Sequence, residues 1–273
     1  MEDINSSPKN EKSTTLNALI DQLNKLKNFR IHTGNINTFV DLKLKRFTNS
    51  AEELKETFKL VLNNLPSDIS VGDDGMLLLV DKKHCDNVYE REDLKITLKL
   101  FLEKFNYDYV KDAVESNSSS PDSIDEKWFE EVLRVWKDSE NGLVAQRKVL
   151  SMGVADFQLP ELDLLFKKAV HKPGIVHVFI DGCCVVNPEL QAYAKQNSIQ
   201  LLTHNDPKPF PLKEVFQCFC EEKSDPDCSR ICQTLFEPVW AARYTVWVRR
   251  RSLMAAKGFI VQFTASDVTN TTT

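Results

Sequence analysis

Short apolar runs alternate with helix-patterned segments along most of this chain, and that alternation restricts its fold more than any other feature. MLLLV (76–80), YDYVKDAVE (107–115), KVLSMGV (148–154), IVHVFID (175–181) and IQLLT (199–203) have the length and hydrophobicity of buried parallel strands. Ser50 and Glu53 read as a capping box ahead of a helical stripe of Leu54, Phe58, Val61 and Leu65. Leu94, Leu98, Phe101, Leu102 and Phe105 give a second stripe. Phe129, Val132, Leu133 and Trp136 give a third, behind a possible box of Ser123 and Glu126. Leu162, Leu165, Phe166 and Ala169 mark a fourth helix. A fifth opens on Asn187 as cap with Pro188 in its first turn, and buries Leu190, Tyr193 and Ala194.

Strand and helix in strict alternation predict βαβ units, hence an α/β protein with a parallel sheet covered by helices. Five such units favour a closed (β/α)8-type barrel over an open sheet. The pattern loosens after Pro207, where RYTVWVRR (243–250) and GFIVQF (258–263) read as two more strands. The barrel is therefore expected to be shortened or irregular in its C-terminal part. It should occupy 16–265 as a single domain, between disordered tails at 1–15 and 266–273.

Composition narrows the function classes. The 273 residues carry 35 basic and 40 acidic side chains, a net charge of −5, which argues against a nucleic-acid partner. The only basic run is Arg249-Arg250-Arg251, which reads as a strand end and loop. No apolar run approaches the roughly 20 residues of a membrane span, and the polar N-terminus has no secretory signal. Seven cysteines, an odd number, need no disulfide framework in a chain of this size. These features predict an intracellular, cytoplasmic protein.

Several side chains invite chemistry. His204-Asn205-Asp206 follows IQLLT, and α/β proteins place ligands and catalysis at the carboxyl ends of strands. The same Asn-Asp-Pro sequence is also a good turn former. Cys183-Cys184 reads either as two small core residues or as a redox-responsive pair linked to a partner. Cys218, Cys220, Cys228 and Cys232 lack the paired C-x2-C spacing of common zinc sites. Trp240, Tyr244 and Trp247 are core candidates, of which one or two could anchor an interface. No GxGxxG or Walker sequence is present.

Longer motifs carry a resemblance. KVLSMGVADFQLPELDLLF (148–166) and YEREDLKITLKLFLEKFNYDYVKDAVE (89–115) resemble strand and helix segments of aldo-keto reductases. RIHTGNI (30–36), VESNSSS (114–120), CCVVNPELQAYAKQNSIQLLTHNDP (183–207) and RYTVWVRRRSLMAAKGFIVQF (243–263) resemble the regulatory, or modifier, subunits of glutamate–cysteine ligase.

The first resemblance implies a reductase barrel, whose chemistry uses a tyrosine acid, a lysine, an aspartate and a histidine. PSDISVGDDG (66–75) holds no tyrosine, Glu115 and Ser116 stand where the histidine is expected, and Lys82 is left alone at the lysine position. No catalytic, cofactor-binding or metal-binding residues are therefore assigned. The second resemblance implies a non-catalytic subunit that binds the catalytic subunit of glutamate–cysteine ligase as a heterodimer. It would improve glutamate use and relieve glutathione feedback in the first step of glutathione synthesis. In that reading His204, Asn205 and Asp206 are structural or partner-facing, with Trp247 and Arg249 as further partner-facing candidates. A coenzyme-dependent aldo-keto reductase and a zinc-dependent interaction module are the alternatives.

Overall fold

The computed structural model describes residues 17–63, 76–78, 89–102, 126–182, 185–221, 234–251 and 253–266. In chain order these form helix α1 (17–23), β1 (Asn28–His32), α2 (Val40–Leu44), α3 (Ser50–Asn63), β2 (Met76–Leu78) and β3 (Leu94–Leu102). Then come α4 (Glu126–Ser139), β4 (Gly153–Ala155), α5 (Leu159–Lys168), β5 (Ile175–Phe179), α6 (Pro188–Gln196) and β6 (Gln200–His204). The chain continues with α7 (Leu212–Val215), α8 (Gln217–Cys220), β7 (Phe236–Val248) and β8 (Leu253–Ala265).

The expected barrel does not form. Among the described residues the strands lie in two separate sheets, one of order β2-β1-β8-β7-β3 and one of order β4-β5-β6. The smaller sheet is parallel throughout, as the βαβ pattern predicts. In the larger sheet only β1 and β2 run parallel; β8, β7 and β3 add in antiparallel fashion. The reason lies in the C-terminal runs. They extend to 13 residues each, and only residues 249–252 separate them. A parallel return needs a crossover of about a dozen residues, so β7 and β8 must fold back on each other. The hairpin then sits between β1 and β3, where a barrel would need parallel neighbours.

β3 is a second departure, since the spacing of its apolar residues predicts a helix there. Leu94-Lys95-Ile96-Thr97-Leu98-Lys99-Leu100 also alternates with period two. Nine consecutive pairs with β7, from Leu94↔Val248 to Leu102↔Trp240, settle the competition in favour of strand. KVLSMGV yields strand only at its end, because the amides of Lys148 and Val149 turn back to the Leu143 carbonyl. YDYVKDAVE, Leu65, Lys82, Phe105, Ser123, the expected N-terminal tail and the expected C-terminal tail beyond Ser266 lie outside the described residues.

The helices otherwise follow the sequence. Leu54, Phe58 and Val61 of α3 are buried, as are Val132 and Trp136 of α4, and Leu162 and Leu165 of α5. Asn187 caps α6, its Oδ1 accepting from the Glu189 amide at 2.8 Å. The cap of α3 is one residue earlier than expected. Asn49 Oδ1 accepts from the Glu52 amide at 3.0 Å and Glu52 accepts from the Thr48 amide at 2.7 Å, which releases Glu53 for other work.

Two main cores result. Beneath the larger sheet, α1, α3, α7 and α8 pack around Phe29, which stacks on Phe263 and meets Phe236 edge-on, both at 4.8 Å between centroids. In the parallel layer α4, α5 and α6 pack around Val176, Leu162 and Leu165. Each of those fully buried side chains contributes about 1.5–3 kcal/mol relative to exposure.

Candidate functional site

The carboxyl end of the parallel sheet holds a network of charged groups. His204, the last residue of β6, places Nε2 2.9 Å from Asp156 Oδ1 and Nδ1 3.4 Å from Asp206 Oδ2. Asp156 follows β4 in a left-handed conformation, φ 61°, which aspartate tolerates better than most residues. That turn lets its amide donate to the His177 carbonyl at 2.7 Å while its Oδ1 accepts from the Phe179 amide at 2.8 Å. Lys208 reaches the other Asp156 oxygen at 3.0 Å. Three strand ends are thus tied by one carboxylate.

Asp206 ties this layer to the rest of the molecule. Its Oδ1 accepts from the Ser50 amide at the start of α3, at 2.9 Å, and its Oδ2 pairs with Lys99 of β3. Asn205 beside it donates to the Thr48 carbonyl. Beyond Lys99 the charges continue through a third carboxylate. Glu53 of α3, only 3% exposed, accepts from Arg243 Nε at 2.8 Å and pairs with Lys257 Nζ. A buried carboxylate holding two cations is compensated, and removing either partner would leave charge exposed to a poor solvent.

The electrostatics follow from these contacts. Burial alone would raise the carboxyl pKa of Asp206, but the hydrogen bonds from His204 and Lys99 outweigh it and hold the group far below the carboxylate range. Burial is overcome in the same way at Asp156, where His204 and Lys208 hold it at about 2. For His204, burial opposes the charged ring, and the bonds to Asp156 and Asp206 more than offset it, so its pKa is raised. His177, on β5, has no carboxylate at hydrogen-bond range. Burial first, then the charges of Lys99 and His204, lower it to about 4. Its Nδ1 is buried without a hydrogen-bond partner.

Both nitrogens of His204 are engaged in either protonation state. Protonated, the ring donates to two carboxylates. Neutral, Nε2–H donates to Asp156 and Nδ1 accepts from the Asp206 amide at 3.3 Å. The arrangement suits a bridge, since a general acid or base needs a nitrogen open to the reacting group.

The motif RIHTGNI builds a second ordered feature. Gly34 is left-handed, φ 64°, and its carbonyl accepts from Tyr244 Oη at 2.7 Å. A Cβ on Gly258 would lie 2.2 Å from that carbonyl and 2.5 Å from Tyr244 Oη, so this crossing requires glycine. Asn35 then caps the following turn and bonds to both Ala255 and Lys257 of β8.

Of the sequence candidates, His204, Asn205 and Asp206 come together as a structural junction. Trp247 and Arg249 lie elsewhere, at the tip of the β7–β8 hairpin, and Trp240 is fully buried. Cys218 is buried in the core with α8, and Cys220 packs at its margin. Cys183, Cys184, Cys228 and Cys232 lie outside the described residues. Among the described residues no group of three or more His, Cys, Asp or Glu side chains is placed to hold a metal ion. No helix among them is long and apolar enough to cross a membrane. Sequence reasoning missed Asp156, Lys99, Lys208, Glu53 and Arg243. Asp156 had a signal, standing directly after the short strand in GVAD, whereas Lys99 had none without the strand assignment of β3.

The chain is 33% identical over 257 residues to the glutamate–cysteine ligase regulatory subunit of Rattus norvegicus, covering 85% of this chain and 91% of that one. It is 31% identical over 264 residues to the Homo sapiens regulatory subunit, covering 88% and 94%. A putative regulatory subunit from Schizosaccharomyces pombe is 26% identical over 256 residues, covering 83% and 86%. No family model matches the sequence. No solved structure matches it either, so the expected aldo-keto reductase barrel finds no support there.

Proposed function

The chain belongs to the family of glutamate–cysteine ligase regulatory subunits, and from that premise we propose that it is a non-catalytic subunit that binds the ligase's catalytic subunit as a heterodimer. The observation that carries this reading is identity of about one third, sustained over nearly the full length of four mammalian regulatory subunits. The geometry is compatible with it. The titratable groups at the strand ends are spent on one another and on fastening β6 to α3 and β3. Such a junction leaves neither ring nitrogen of His204 open to a reacting group.

We further propose that association improves glutamate use and relieves glutathione inhibition. A non-catalytic partner achieves this only by binding one conformation of the catalytic subunit more tightly than another. A 10-fold change in glutathione inhibition corresponds to about 1.4 kcal/mol of such coupling. The test mixes purified chain with purified catalytic subunit and follows complex formation by size exclusion. Ligase rate is then measured against glutamate and glutathione. A complex with a lower glutamate requirement or weaker glutathione inhibition is expected; no complex and unchanged kinetics would overturn the reading.

A further inference from the structure

The β7–β8 hairpin ends in a tip where Val248 is buried, 4% exposed, while Trp247 and the arginines of the turn are exposed. Pairing is regular from Trp240↔Gln262 to Val246↔Ala256, and then Trp247 pairs with Met254, which leaves Ala255 as an extra residue. A bulge of this kind bends its strand and re-aims the neighbouring side chains. It is held from outside the hairpin. Asn35 Nδ2 donates to the Ala255 carbonyl at 3.2 Å, and Asn35 Oδ1 accepts from the Lys257 amide at 3.3 Å.

Beyond the bulge the side chains change character. Trp240 is fully buried, while Trp247, on the same strand, is 36% exposed. By register Trp247 shares a face of the ribbon with Lys95. Ile96 and Leu253 fall on the opposite face, 44% and 50% exposed. Arg249, Arg250 and Arg251 close the turn, all exposed. Arg250 stands 3.7 Å from Asp93, and Glu90 and Glu92 are exposed before the same strand.

We infer that this tip is the element that enters the catalytic subunit, in a cleft with apolar walls and carboxylates at its floor; the inference rests on the regulatory-subunit reading. A ribbon carrying exposed apolar side chains on both faces buries only one of them on a flat surface, whereas a cleft buries both. Tryptophan and arginine are the side chains most enriched among residues that dominate binding. The guanidinium fork at the leading end matches carboxylates in two-point geometry. In a chain of net charge −5, three consecutive arginines select for an acidic feature on the partner.

The experiment uses the full chain and the purified catalytic subunit, with affinity and association rate measured for wild type, W247A and R249E/R251E. K195E, on the exposed surface of α6, serves as a control. W247A is expected to weaken binding by at least about 30-fold. The arginine reversal is expected to slow association roughly 10-fold at low salt and to approach wild type near about 0.5 M salt. Because the turn is exposed, the arginine reversal decides the matter by itself if W247A does not fold. Wild-type binding with both variants unchanged would overturn the tip assignment and leave the function intact. Absence of wild-type binding would overturn both. If the chain alone self-associates and W247A abolishes that, the tip is a contact between copies and the inference fails.

Discussion

The parallel layer and the larger sheet solve the same problem with opposite means. In the parallel layer, strands of three to five residues are each followed or preceded by a helix, and the apolar surface is covered locally. Its charged groups collect at the strand ends, around His204. In the larger sheet, two 13-residue strands supply the centre, and the charged hub of Glu53 lies between helix and sheet. The first unit depends on neighbours in sequence and the second on partners as distant as Arg30 and Gln262, 232 residues apart. Asp206 joins them, since it accepts from α3, pairs with β3 and braces the histidine of β6.

The largest test of that division is Phe29→Ala. The ring sits among Phe263, Phe236 and Phe219, so its removal should cost about 3–5 kcal/mol. If Asp206 couples the two units, thermal unfolding stays a single transition and amides of β5 lose hydrogen-exchange protection together with those of β8. A melt that splits in two, with the parallel layer surviving, would show the units to be independent.

Asp206→Ala acts on the joint itself. It leaves Lys99 partly buried without its carboxylate and frees one side of His204. The expected loss is about 3 kcal/mol, the usual consequence of stranding a buried charge. Here the split melt is the expected outcome, because the link and not either core has been removed. Loss of stability with full cooperativity retained would mean that other contacts carry the coupling.

The same division explains what could be read from sequence. Asn187-Pro188 and the stripes of α3, α4 and α5 are local signals, and each gave the right element. Capping of α3 was legible to within one residue, but Thr48-Asn49 and Ser50 are both plausible starts, and only the buried destination of Glu53 separates them. β3 was misread because its residues satisfy two periods at once, and the deciding partner, β7, lies about 150 residues downstream. The barrel failed for the same reason, since antiparallel closure of the C-terminal hairpin is a long-range event. At the candidate site His204 and Asp206 were visible as a strand end, while Lys99 and Glu53 came into view only with the pairing of distant strands.

Capping offers a smaller and sharper test. Asn187→Ala and Asn49→Ala should each cost about 1 kcal/mol, one in each unit, because each side chain accepts from a first-turn amide. Ser50→Ala should cost much less, since Ser50 contributes its backbone amide to Asp206 and not its hydroxyl. Chemical denaturation of the three variants measures this. A Ser50→Ala loss as large as that of Asn49→Ala would restore the capping box at Ser50 and Glu53.

The smallest effect expected is the pH dependence of the parallel layer near neutrality, and its sign can be worked out group by group. His204 has a raised pKa in the folded chain. Its contribution is complete below the unfolded value of about 6.5 and is lost as pH rises through the folded value. His177 is lowered to about 4, so the folded chain resists its protonation, and stability falls as pH drops from about 6.5 toward 4. Asp156 and Asp206 are depressed, and their contribution disappears at still lower pH, below the ordinary carboxylate value. Unfolding measured from pH 5 to 8 should therefore show a shallow maximum near neutrality. His204→Gln should flatten the alkaline side and, with one of the charges that lower His177 gone, only soften the acid side, whereas His177→Gln should flatten the acid side. Because His204 faces Asp156 and Asp206 while Lys99 opposes its charge, Asp206→Asn should also reduce the alkaline slope. Loss of the acid side in the His204 variant would mean that the two rings titrate as one unit, and the bridge would then extend across β5 as well as β6.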